Sequence, residues 1–121
     1  MTTNTPPRPP KELAARGRAL WRSVLTKYEL EEHELALLMQ ACRTADRLDD
    51  IAAALVGQPL TVDNFRGDPV AHPLLNEQRQ QSMTLARLLA SLRIPTGDAE
   101  ADGRPQRRGG ARGTYGQRAA R

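Results

Sequence analysis

Residues 57–73, "GQPLTVDNFRGDPVAHP", decide the fold. On either side the apolar residues recur at helical spacing. Gly57 and Pro59 close the helix before, and Pro73 suits the first position of the helix after, where a missing N–H costs nothing. Between them "LTV" has strand character and pairs naturally with the segment around Val70, while Gly67 and Asp68 carry turn chemistry. The stretch predicts a short β-hairpin or an extended excursion inserted between two helices. The same residues bear on chemistry. His72 has no Ser or Cys partner in a recognisable motif, and Asp63, Asp68 and His72 match no ligand spacing. No Gly-rich phosphate loop with its Lys is present. Structural roles are therefore expected for Gly67, His72 and Pro73, with Arg66 available to a partner. No catalytic residue, metal site or cofactor is expected.

Working outward, the helix before this elbow spans about residues 31–56. Glu29, Glu31, Glu32 and Glu34 crowd its start, where the helix dipole favours negative charge. It carries two apolar stripes. One is Leu35, Leu38, Met39, Cys42 and Ala45; the other, about half a turn away, is Leu37, Ala41, Leu48, Ile51 and Leu55. A surface helix needs one apolar face. Two faces in so short a chain predict that one meets a second subunit, and the second stripe is the oligomerisation candidate. Asp46, Asp49 and Asp50 lie within helical reach of Arg43 and Arg47, which predicts a solvated, salt-bridged face. The helix after the elbow runs from Pro73 to Leu92. Leu74, Leu75, Gln78, Ser82, Leu85, Leu89 and Leu92 form its packing stripe, and Pro95 and Gly97 stop it.

The first helix spans Lys11–Lys27. Leu13, Gly17, Leu20, Trp21, Val24 and Tyr28 share one face, with Lys11, Arg18 and Arg22 nearly opposite. Such a basic face either binds phosphates or is simply solvated, and the surrounding charge favours phosphates. The charge is segregated. Residues 1–27 hold six basic groups and one acid, residues 28–102 six basic and thirteen acidic groups, and residues 103–121 six arginines and no acid. The net charge is +4. Basic ends flanking an acidic middle suggest ends that meet a polyanion.

The termini read as disordered. Residues 1–10 hold four prolines, and residues 96–121 are rich in Gly, Arg and Ala, so neither builds a core. Residues 11–95 form the folded domain: an all-α, three-helix subunit with a helical-hairpin core. Cys42 is the single cysteine, which reads as a small buried hydrophobe. No apolar run reaches membrane-spanning length, and no signal peptide is visible, so a soluble intracellular protein is expected.

The ordered set "GRALWRSVLTKYELEEHELALLMQACRTADRLDDI" followed by "LTVDNFRGDPVAHPLLNEQRQQSMTLARLLASLRIP" resembles the small terminase subunits of tailed phages, a group common in phages and prophages of Gram-positive hosts. The matching pieces are Leu20-Trp21, Tyr28, Leu30, the Leu35/Leu38/Cys42 helix, Asp46, Gly67, the His72-Pro73-Leu74 step, Glu77, Arg79 and the run from Leu88 to Pro95. The resemblance covers about residues 17–95. It implies a non-enzymatic, ring-forming helical protein of the host cytoplasm. Such a protein recognises viral double-stranded DNA for packaging and recruits and regulates the large terminase subunit, which carries the ATPase and nuclease. Family members often begin with a helix-turn-helix; this chain has one helix after a Pro-rich arm. The expected DNA contacts are Lys11, Arg18 and Arg22, with Arg107, Arg108 and Arg112 as a second set; either set is equally suited to an acidic surface of the large subunit. Two other readings share the charge pattern. One is a small helical DNA-binding regulator. The other is an RNA-binding oligomer with an Arg/Gly tail, in which Tyr115 of "RRGGARGTYG" would stack on a base.

Overall fold

The structure, a computed structural model, describes residues 6–94. Three helices, α1 (Ala15–Lys27), α2 (Glu32–Leu55) and α3 (Pro73–Leu92), enclose one two-stranded hairpin, β1 (Thr61–Asp63) and β2 (Pro69–Ala71), between α2 and α3. The sequence allows a hairpin or an extended excursion here, and the hairpin forms. Val62 faces Val70 across an antiparallel pair.

Each boundary has a local cause. α2 opens with a capping box: the Glu34 carboxylate accepts the Glu31 N–H at 2.7 Å, and the Glu31 carboxylate accepts the Glu34 N–H in return. α3 begins at Pro73, and Nδ1 of His72 accepts the Leu74 N–H at 3.1 Å, which occupies one of the orphan donors of the first turn. The helix ends where Arg93 turns left-handed, with φ +57°.

α1 departs from expectation. It starts at Ala15, not Lys11. Ala14 at its N-cap has no side chain to offer. The acceptor comes instead from α2: the Asp46 carboxylate takes the Ala14 N–H and the Gly17 N–H, each at 2.7 Å. A charged acceptor at a helix N-terminus satisfies orphan donors and complements the dipole at once. Residues 10–13 form a turn in front of it, closed by the Leu13 N–H on the Pro10 carbonyl at 3.2 Å, and Leu13 enters the core.

That contact explains Gly17. A Cβ there would lie 2.5 Å from Asp46 Oδ2 and 2.8 Å from the Cys42 carbonyl oxygen. Only a residue without a side chain allows the two backbones this approach.

The core gathers Leu13, Trp21, Val24, Leu25 and Tyr28 around Leu38 and Cys42 of α2 and Leu92 of α3. It sits where α1, the first half of α2 and the end of α3 converge. Beyond it, α2 and α3 continue together to the hairpin. α2 is thus the central helix, with α1 on one side and α3 on the other.

Both stripes of α2 are in part covered within the subunit. Leu38 and Cys42 of the first stripe sit in the core with residues of α1 and α3, and Ala45 is buried beside them in sequence. Ala41 and Ile51 are buried within the subunit, while Leu37, Leu48 and Leu55 are half-buried. The acidic group is also rearranged. Asp49 pairs with Arg16 of α1 at 3.3 Å, and Arg43 reaches Glu12 at 2.6 Å. These bridges tie α2 to the N-terminal segment, whereas the expected pairs ran along one helix. Both are half-exposed and contribute up to about 1 kcal/mol each.

Candidate nucleic-acid interface

The Pro-rich arm is not free where the structure describes it. Residues 6–10 lie along α1, and the indole N–H of Trp21 donates to the Pro7 carbonyl at 2.9 Å. Pro6, Pro9 and Pro10 are half-buried there. Residues 6–10 form no helix or strand, and a tryptophan N–H on the edge of the core finds its acceptor there.

Arm and helix enclose an open groove of about 730 Å³. One wall is the stripe Arg18, Arg22 and Thr26, spaced four residues apart on α1; the other is residues 6–11, with Arg8 and Lys11. The Arg18 guanidinium donates to the Lys11 carbonyl at 3.2 Å, which bridges the walls. Of the sequence candidates, Lys11, Arg18 and Arg22 are therefore brought together. Arg8 joins them, a residue that sequence reasoning places in a disordered arm. Among the described residues, no carboxylate lies within ion-pair distance of any of the four. The nearby acids are committed elsewhere: Glu12 to Arg43, Asp49 to Arg16, and Asp46 to the α1 N-terminus. Arg107, Arg108 and Arg112 lie outside the described residues.

Four cations lining one groove, with no carboxylate partner among the described residues, suit the phosphates of a nucleic-acid backbone. Trp21 is buried, so its ring gives no stacking platform there. The groove chemistry is thus that of guanidinium and ammonium donors, without an aromatic platform from Trp21.

The elbow makes a second distinct feature. Asn64 Oδ1 accepts the N–H groups of Arg66 and Asp68, and the Asn64 carbonyl accepts the Gly67 N–H, with Gly67 at φ +85°. This Asx turn holds Phe65 out at 92% exposure with the Arg66 guanidinium over its ring, 5.3 Å from the centroid. Gly67 supplies the left-handed turn residue, and His72 and Pro73 start α3.

Cys42 has no accessible chemistry. It is fully buried, and burial, with Asp46 as a second cause, pushes its thiol up to about 12 from an ordinary 9.0. In the folded chain the proton therefore stays on between about pH 9 and 12, where the unfolded chain releases it. The unfolded state binds fewer protons there, so stability falls as pH rises through that window. Alkylation of native protein at about pH 8.5 should proceed only as fast as global unfolding, and a denaturant series read by labelling rate checks this. Labelling at the rate of a free thiol would contradict the burial.

Comparison of the chain with protein-family models, with curated proteins and with solved structures gives no match. Among the described residues, no helix is long and apolar enough to cross a membrane.

Proposed function

We propose that this chain is a non-enzymatic viral DNA-packaging subunit of the small-terminase type. It binds duplex DNA through the groove between the Pro-rich arm and α1, assembles into a ring, and delivers DNA to the large terminase subunit. The observation that carries the DNA reading is the convergence of Arg8, Lys11, Arg18 and Arg22 on one groove with no carboxylate partner among the described residues. The sequence resemblance of residues 17–95 supports the packaging role. Exposed Val56, Leu60, Phe65 and Met83, all beyond the core, supply apolar surface for neighbouring copies or the large subunit to cover. A ring would repeat the basic groove around its circumference, and repetition raises affinity without strong contacts per subunit.

The test is duplex binding by fluorescence anisotropy across a salt series. Arg18→Glu with Arg22→Glu should lower affinity roughly 100-fold at about 0.1 M salt and flatten the logarithmic salt slope by about 2 for each subunit in contact. Unchanged affinity at low salt sinks the groove assignment. Copurification with a large terminase subunit separates a packaging role from that of a small DNA-binding regulator, which shares the charge pattern and needs no such partner.

A further inference from the structure

We infer that Trp21 is a positioning residue for polyanion binding: its indole N–H latches the Pro-rich arm at Pro7 and thereby places Arg8 as the fourth cation of the groove. The inference rests on the reading of the groove as a nucleic-acid contact. Its support is the geometry of the arm.

Pro6, Pro7, Pro9 and Pro10 hold the arm extended. Their rings fix φ, and they bring no N–H that would need a partner. An arm already stiff loses little conformational freedom on docking, so one hydrogen bond goes a long way toward fixing it. That bond is at Pro7, and Arg8 is the next residue. Arg8 is exposed and makes no hydrogen bond or ion pair among the described residues, so nothing on its own side chain holds it at the groove. Among the described residues the arm contributes none to the buried core, whose first member is Leu13. What docking adds is one wall of the groove and one unpaired cation. An indole suits this role, because its ring packs in the core while its single N–H reaches the rim.

The experiment combines two measurements on the full chain. The first is independent of DNA: exchange of the single Trp indole proton, followed by NMR. A latched N–H exchanges at least about 10-fold more slowly than a free indole, as hydrogen-bonded protons do. Exchange at the free rate overturns the latch whatever the binding data say.

The second is duplex binding across a salt series for Arg8→Ala, Trp21→Phe and the double variant. Each single change should flatten the salt slope by about 0.9 per subunit and weaken binding roughly 5- to 10-fold at about 0.1 M salt. Because the latch acts through Arg8, Trp21→Phe should have no further effect once Arg8 is alanine. A Trp21→Phe loss that is equally large in the Arg8→Ala background shows a general structural role and overturns the inference, as does an unchanged slope in Arg8→Ala. Failure of the unaltered chain to bind duplex at low salt overturns the groove reading itself. A normal salt slope in both single variants, with binding intact, overturns the positioning role alone.

Discussion

Gly17→Ala will destabilise the chain by about 3 kcal/mol, although alanine is the better helix former. At an exposed helical position the same change stabilises by about 1 kcal/mol. Here the new methyl would stand 2.5 Å from Asp46 Oδ2 and 2.8 Å from the Cys42 carbonyl oxygen. The carboxylate can swing away only by releasing the Ala14 and Gly17 N–H groups. The carbonyl is α2 backbone and cannot swing at all. So α1 must back off from α2, which costs about 1–3 kcal/mol in a packed interface, and the loss of the cap adds to it. In a domain of this size each kcal/mol is about 4–8 °C in Tm, so a fall of more than about 10 °C is expected. Urea unfolding with an unchanged m-value reads the same quantity. An alanine variant as stable as the parent would mean that the two helices do not meet at Gly17.

Asp46→Ala removes the same junction from the other side. It deletes two hydrogen bonds to a charged acceptor, one of them to the part-buried Gly17 N–H. Hydrogen bonds to charged groups are worth about 1.5–3 kcal/mol, so a loss of about 3 kcal/mol is expected for the pair. Asp46→Asn keeps one acceptor oxygen and points an amide at a donor, and should fall between the parent and the alanine variant. The double variant, Gly17→Ala with Asp46→Ala, should be less damaged than the sum of the singles by about 1 kcal/mol or more. With the carboxylate gone, only the carbonyl still crowds the new methyl. Strict additivity would show that Gly17 and Asp46 act separately.

The junction also marks what is legible in the chain and what is not. The three helices and the hairpin follow from information that is local: apolar spacing, Pro73 at a helix start, and Gly67 and Asp68 at a turn. The start of α1 is displaced from Lys11 to Ala15 because its cap is not local. Asp46 lies 32 residues beyond Ala14 and 29 beyond Gly17, and no periodicity announces it. Asp49 and Arg43 have plausible neighbours on their own helix, yet they pair with Arg16 and Glu12 across the interface. Helical spacing says which partners are within reach, not which are taken. The candidate site divides in the same way. Lys11, Arg18 and Arg22 stand out by charge and by face. Arg8 does not, since the prolines around it describe an extended segment and are silent on what it lies against. That depends on one tryptophan N–H, 14 residues beyond Pro7. The second stripe of α2 is legible as an apolar face, and Ala41 and Ile51 of it are buried within the subunit.

A helix whose first turn is completed by another helix is also late in time. At 13 residues, α1 is near the length at which an isolated helix is marginal in water. A ribosome delivers it well before Asp46. Until that carboxylate emerges, Ala14 and Gly17 have no acceptor and Trp21 has no core to sit in, so the arm has nothing to dock on. The cationic groove therefore waits on a helix that is made after it, although all of its own residues precede that helix in the chain. The emerging segment carries the positive charge but cannot present it as a surface until α2 has been synthesised.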